Sequence, residues 1–594
     1  MLPPPASSLL PAFFERYARR YARVYSLGLL MLLATNGLTV AIPRMIKEVF
    51  DELAGGRDMG LVQTYAILIC GAAVVVIVVR TLSRVLFFNP GRTIEFRLRN
   101  DMLARLLSMS GTWYRDQGTG DLVSRAANDA TYVRALVGFS LLMLLNLLLA
   151  TSFTLWQMLE INARLTLYCV APLALSVWLL RFGIRRLFDA MRAGQQELGQ
   201  LSEHILETLG GVAVIQGAVA EGAFQRRFDL HNDRYTAINL QVTALRCFLL
   251  PLAAMVGNIC IFILLFVGGQ LAVEGKMSIG DLAAYASYVT LLAGALTGAG
   301  WLLNGLQRGY VALQRCWVVV DMPADRASGQ LTLPDSDQGL HLEVKDLNYR
   351  YPDAGQDDPP ALSGISFDLP PGGVLGIYGP VGSGKSTLID LITGLLPPPM
   401  GTVSLDGVDV GDLASDSLWH AVAVAPQQAF LFSRSLRENV AFVDKQADID
   451  SARVWASLDK ALLGDEVRRL PDQLETVVGE RGLTLSGGQR QRAQLARAMY
   501  RGYRLLLLDD VLSAVDHDTE ERLLVSIGGE LARGAGRHSA VIVSSRLSAL
   551  ADADEILVLD QGRLIERGTH SSLIAAGGAY AKVWAVQRTR RAAA

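Results

Sequence analysis

The sequence predicts a six-span α-helical membrane domain followed by an α/β domain of the P-loop type. Three observations carry this. The 594-residue chain is 51% hydrophobic and only 19% charged, with a mean hydropathy of +0.30, too apolar for a purely soluble protein. Its first half holds six apolar runs, each long enough to cross about 30 Å of hydrocarbon. Its second half alternates apolar strands with helical stretches and sets Gly379-Pro380-Val381-Gly382-Ser383-Gly384-Lys385-Ser386 between a strand and a helix.

The elements follow in order. Leu9–Tyr25 mixes Phe13, Phe14 and Tyr17 with Arg16, Arg19, Arg20 and Arg23. It predicts an amphipathic helix on the membrane surface, with a basic solvated leader as the alternative. The spans are expected at roughly 26–46, 62–88, 135–159, 165–181, 247–270 and 281–305. The fourth is short and contains Pro172. Arg92, Arg97, Arg99, Arg105, Arg115 and Arg125 fall between spans two and three, and Arg185, Arg186, Arg192, Arg226, Arg227 and Arg234 between four and five. The other connections are short and poorer in Arg and Lys, so the positive-inside rule puts both long loops, the N-terminus and the second half in the cytosol. No charged leader with an apolar core and cleavage site precedes the first span, so no signal peptide is expected.

The two long loops show helical periodicity and extend the spans beyond the membrane. Each contains a turn, at Thr112–Gly118 and Leu209–Gly211, that suits either a contact with the second half or ordinary helix packing. Asn36, Asn146, Asn258 and Asn304 fall within spans. Interhelical hydrogen bonds explain them better than a substrate cavity, so they assign no substrate site. The five cysteines lack metal or disulfide spacing and suit packing. A net charge of −2 implies no nucleic-acid partner. The domains expected are therefore 1–322, membrane; 323–339, a Pro- and Gly-containing linker; 340–585, α/β; and 586–594, a basic tail.

The P-loop has the chemistry of a polyphosphate site. Its glycines let backbone N–H groups turn inward as a nest, and the following helix adds partial positive charge at its N-terminus. Lys385 would reach the β- and γ-phosphates of ATP, Ser386 would ligate Mg²⁺, and Thr387 begins the helix. A Gly-rich turn gives the same local pattern but does not account for the motifs that follow it in order. Leu485-Ser486-Gly487-Gly488-Gln489 precedes a basic helix, and Leu505-Leu-Leu-Leu-Asp509 is an apolar strand that ends in a carboxylate.

On these motifs residues 340–585 resemble the nucleotide-binding domain of an ABC transporter, and the six-span half resembles an ABC exporter half-transporter. Thr119–Asp129 is similar to that family's first cytosolic loop, and Leu485–Gln489 matches its signature. The resemblance implies that Tyr351 stacks on adenine, where such stacking contributes about 1–3 kcal/mol. It implies that Gln427 approaches Mg²⁺, a hard cation suited by a neutral oxygen, and that Asp509 holds the metal through water. It implies that Thr476–Gly482 contacts the membrane loops and that Asp516 lies on the D-loop at a dimer seam. The signature would face the ATP of an opposite subunit, so a dimer is implied.

Two residues depart from the family pattern. Asp510 stands where the family has the general-base Glu, and Ser545 where it has the switch His. Asp is one methylene shorter, and a misplacement of about 1 Å can cost about 10²-fold in rate. Ser545 has no imidazole to bridge the γ-phosphate and the base. The expectation is an ATP-driven exporter subunit of the cytoplasmic (inner) membrane that binds ATP at a degenerate site. It would pair with a second half-transporter carrying Glu and His, like bacterial heterodimeric multidrug-resistance-like exporters, and move small molecules, lipids or peptides. The alternatives are a homodimer in which Asp510 suffices, an inward-working transporter, and an ATP-gated regulatory membrane protein.

Overall fold

The computed structural model describes residues 6–55, 59–323, 329–352, 354–355, 358–442, 444, 448–479, 482, 484–512, 515, 517–532 and 538–593. It divides into two units, one of Met1–Leu107 with Thr119–Met322, the other of Ser108–Gly118 with Pro323–Ala594.

The first unit is helical. Its long helices are Leu9–Gly55, Met59–Leu107 and Thr119–Ile161, then Ala163–Gly210, Glu221–Ile263 continuing to Val273, and Ile279–Val320. Among the described residues four stretches are long and apolar enough to cross a membrane by length and composition: Leu9–Gly55, Met59–Leu107, Thr119–Ile161 and Met255–Val273. Shorter apolar stretches, Ala163–Leu175 and Ile279–Ala295, begin the fourth and sixth long helices. Only 6% of the apolar window of Met59–Leu107 is buried in the protein, so Ile67, Val74, Ile77 and Val78 face outward, as lipid contact requires. Polar groups inside the bundle pair across helices. Asn36 Nδ2 donates to Asn146 Oδ1 at 3.1 Å, and Tyr285 Oη donates to Thr166 Oγ1 at 3.0 Å. This is the interhelical role expected of the first two asparagines. The amphipathic start of the chain turns Leu9, Phe13 and Tyr17 into a core with Ile94, Leu98, Met102 and Trp317.

Of the two expected turns, the second holds, because the fourth long helix ends at Gly210 and a short helix Val212–Gly217 follows. The first is mostly a short helix, Gly111–Asp116, whose first turn is capped by Ser110 accepting from the Trp113 N–H at 3.4 Å.

The second unit is α/β. Its strands are β1 Leu342–Tyr349, β2 Leu362–Leu369, β3 Val374–Tyr378, β4 Val403–Leu405, β5 Val408–Asp409, β6 Val422–Ala425, β7 Leu505–Asp509, β8 Ser539–Val543, β9 Glu555–Asp560 and β10 Arg563–Gly568. The first sheet runs β2-β1-β4-β5 and the second β10-β9-β3-β8-β7-β6. From β9 to β6 the second sheet is parallel. Buried on both faces, its strands are continuous apolar runs, as in Leu505–Leu508. The register aligns Ile377 of β3 with Val543 of β8, and Val543 with Asp509 of β7. The C-terminal ends of these three neighbours therefore share one edge, where ligands of open α/β sheets bind. The last helix runs Ala579–Ala593, so residue 585 falls inside it.

Candidate functional site

At that edge β3 leads into the P-loop. Gly382 and Gly384 have φ of +83° and +94°, which an L side chain rarely adopts. A Cβ on Gly379 would lie 2.4 Å from the Leu559 carbonyl, and one on Gly384 2.7 Å from the Ala361 carbonyl. The loop is thus a backbone-lined cradle in which Pro380, Val381 and Gly382 are exposed and Ser383 is buried. The helix Lys385–Ile392 points its N-terminus at the cradle, which suits phosphate. Lys385 Nζ donates to the carbonyls of Gly379 at 2.8 Å and Pro380 at 2.7 Å. Burial lowers its pKa, and the charges of Asp510 and Asp509 oppose that.

Ser386 Oγ donates to Asp509 Oδ2 at 2.8 Å. A hydroxyl beside a buried carboxylate is an oxygen pair of the kind a Mg²⁺ site needs. Burial raises the Asp509 carboxyl above the usual range, and the Asp510 charge adds to this against Ser386 and Lys385. Thr387 Oγ1 and Tyr351 Oη share a hydrogen bond of 2.9 Å, which fixes the Tyr351 ring beside the P-loop helix. The Tyr349 ring meets it edge-on, centroids 5.4 Å apart.

Asp510 and Ser545, the two expected departures, touch each other. The Ser545 N–H and Oγ–H both donate to Asp510 Oδ1, each at 3.1 Å. Asp510 has a φ of +48°, in the left-handed region that Asp tolerates better than most residues. Its N–H donates to the Val543 carbonyl at 2.9 Å, which locks the corner to β8. The structure therefore brings together Tyr351, Gly379–Thr387, Asp509, Asp510 and Ser545.

Among the described residues the other expected site residues share no hydrogen bond with this cluster, although Gln427 follows β6 at the same sheet edge, where Ala425 aligns with Leu508 of β7. Gln427 is exposed, and its carbonyl accepts from Gln491 Nε2 at 3.5 Å. Among the described residues no hydrogen bond joins its side chain to Ser386 or Asp509. Leu485 is buried, and Ser486 caps the helix Gly487–Tyr500 in a reciprocal box with Gln489. Gln489 also donates to Glu466 Oε2 at 2.7 Å. Ser486 and Gly487 are exposed, and a Cβ on Gly487 would meet nothing within 4 Å. The signature is an open helix N-terminus on this unit, while Gly488 continues its first turn. Asp516 lies outside the described residues, as do Glu480 and Arg481 of the Thr476–Gly482 segment.

Sequence reasoning missed two supports of the Ser545 corner, Gln587 and Glu520. Gln587 Nε2 donates to the Ser545 carbonyl at 3.0 Å, and its Oε1 accepts from the Leu547 N–H at 3.0 Å. Glu520 is fully buried and takes Arg546 and, at 2.8 Å, Ser548. These contacts span 26 to 42 residues, and no local pattern announces them.

Comparison with known proteins agrees with this fold. Residues 25–296 match the family model of the ABC transporter transmembrane region, and residues 362–513 match that of the ABC transporter domain. The chain is 31% identical to an ATP-dependent lipid A-core flippase of Aromatoleum aromaticum, covering 82% of this chain and 80% of that one. It is 29% identical to the multidrug resistance-like ATP-binding protein MdlA of Escherichia coli, covering 98% and 96%. A bacterial Atm1-family ABC exporter solved with ATP bound superimposes with a TM-score of 0.76 at 25% identity, over 95% of this chain and 99% of that one.

Proposed function

The chain belongs to the ABC transporter family as an ATP-driven exporter, and from that premise we propose that it is one subunit of an asymmetric pair. Its own P-loop site binds ATP and hydrolyses it slowly. Its signature, Leu485–Gln489, completes the faster site of a different half-transporter that carries Glu and His where this chain has Asp510 and Ser545.

The observation that carries this reading is the pair of hydrogen bonds from Ser545 to Asp510 Oδ1. A general base must come within reach of the proton it takes. Here the carboxylate is short by one methylene, and one of its oxygens already accepts two hydrogen bonds from the segment that should supply the histidine. The open signature helix supports the complementary half of the reading, because a capped but exposed N-terminus is available to a phosphate on another chain.

The residues present fit Mg²⁺-ATP. Tyr351 would hold the base, the P-loop N–H groups and Lys385 the phosphates, and Ser386 and Asp509 the metal, with Gln427 reaching in on closure. When bound, Mg²⁺ supplies charge neutralisation on the phosphate oxygens. On this reading the paired nucleotide domains close on ATP and reopen after hydrolysis at the partner's site. The segment Ser108–Gly118, which groups with the nucleotide-binding unit, would pass the motion to the membrane helices. The Arg-rich loops support a cytosolic position for that unit at the inner membrane. The flippase and drug-resistance relatives support an amphipathic, lipid-like or drug-like substrate.

The test is ATP turnover by the purified chain in lipid nanodiscs, alone and mixed with the half-transporter that co-purifies with it. Slow turnover alone and brisk turnover in the mixture support the asymmetric pair. Brisk turnover by the chain alone contradicts it and makes the chain a homodimer.

A further inference from the structure

The chain passes between its two units at three places, Leu107 to Ser108, Gly118 to Thr119 and Met322 to Pro323. The second long helix ends at the first crossing, the third begins at the second, and the sixth ends at Val320, just before the last. A displacement carried along the chain from the nucleotide-binding unit therefore enters the membrane domain through these three helix ends.

Within the membrane domain charge ties the three ends to one another. Glu95 of the second helix is 6% exposed. It takes Arg99 at 2.8 Å, Arg134 of the third helix at 2.9 Å and the Thr131 hydroxyl at 3.0 Å. Arg99 also donates to the carbonyls of Ala126 and Ala127, each at 3.0 Å. From the sixth helix, Arg315 pairs with Asp121 and, at 3.2 Å, with Asp129. Asp129 is likewise 6% exposed, and Asp121 holds Arg125 on its other oxygen at 2.7 Å. The backbone of the third helix brings the two aspartates to Arg315. In a continuous α-helix residues 121 and 129 would stand about 80° apart around the axis. Arg125–Asp129 is instead a π-turn, which rotates less per residue and so moves the two carboxylates toward one face. Ordinary surface ion pairs contribute little and account for half-exposed arginines. They do not account for two buried carboxylates, which are costly unless paired.

We propose that Arg315 is a coupling residue, which welds the end of the sixth helix to the start of the third. With the second helix joined through Glu95 and Arg99, the three move as one lever when ATP binds. The π-turn is the part of the lever that aligns Asp121 and Asp129 on Arg315. The proposal does not depend on which chain's nucleotide site turns over.

The test uses the full chain in lipid nanodiscs, together with any half-transporter that co-purifies with it. Spin labels are placed by Met59→Cys and Val273→Cys, exposed positions at the start of the second helix and the end of the fifth. One label thus rides on the lever and one does not. The exposed cysteines are removed by Cys70→Ser and Cys247→Ser. Mg²⁺-ATP with vanadate is expected to shift the label-to-label distance, read by double electron–electron resonance. Arg315→Glu should remove most of that shift while retention of a fluorescent ATP analogue is unchanged. Arg315→Gln, which adds no repulsion to the two aspartates, should remove most of it as well. Asp121→Arg added to Arg315→Glu reverses one ion pair and should recover part of the shift, a rescue that packing alone would not give. A shift that Arg315→Glu and Arg315→Gln leave intact, a reversed pair that recovers none of it, or no shift in the parent chain overturns the proposal.

Discussion

At the scale of single residues, Asp510 is held from two sides. Its N–H is bonded to β8 and its Oδ1 to Ser545, so the carboxylate stays at the sheet edge. Restoring the missing methylene and the imidazole should release that restraint. Asp510→Glu combined with Ser545→His is expected to raise phosphate release by the chain alone by on the order of 10²-fold; an unchanged rate would mean that the slow step lies elsewhere. Asp509 gives a prediction in pH. Burial raises its carboxyl above the usual range, so the folded protein holds this proton more tightly than the unfolded chain does. The stability from that proton is present below the unfolded-state value and is lost as pH rises through the folded-state value. Asp509→Asn should therefore raise the melting temperature of the nucleotide-free protein at neutral pH, and the difference should close as the pH falls toward the unfolded-state value. A difference that does not vary with pH would contradict the assignment.

At the scale of elements, the P-loop separates backbone strain from close contact. Gly382 and Gly384 both have positive φ, but a Cβ on Gly382 meets nothing within 4 Å, whereas one on Gly384 comes within 2.6 Å of Leu362. Gly382→Ala should cost about 1–2 kcal/mol of left-handed strain. Gly384→Ala adds the collision with the strand wall. It should lower the thermal midpoint further and lose retention of a fluorescent ATP analogue, while Gly382→Ala retains part of it. Equal losses would show that strain alone governs the loop. What could be read from the sequence divides along the same line. The strands, the P-loop and the carboxylate at the end of β7 were legible because apolar runs and glycine spacing are local signals. The short helix Gly111–Asp116 was not, since a single Ser110 cap closes it inside a stretch resembling a turn. The Gln587 bridge was not, because its partners are 40 and 42 residues away. Gln427 and the signature are expected from resemblance alone, and among the described residues neither shares a hydrogen bond with the P-loop. Their expected partners are a bound metal and a second subunit.

At the scale of the whole molecule, the chain is an ABC exporter, and the proposed reading gives it one complete signature and one altered catalytic edge. In the asymmetric account the two ends of this chain's nucleotide domain serve different ATP molecules. Its P-loop holds the slowly turned-over one, and its signature serves the one hydrolysed on the partner. The most direct measurement is the ATP turnover of the co-purified pair, with Ser486→Arg placed in this chain in one preparation and Lys385→Ala in another. The account predicts that Ser486→Arg removes most of the turnover while Lys385→Ala leaves most of it. Loss of turnover with Lys385→Ala together with retention under Ser486→Arg would contradict the account and place the working site on this chain's own P-loop.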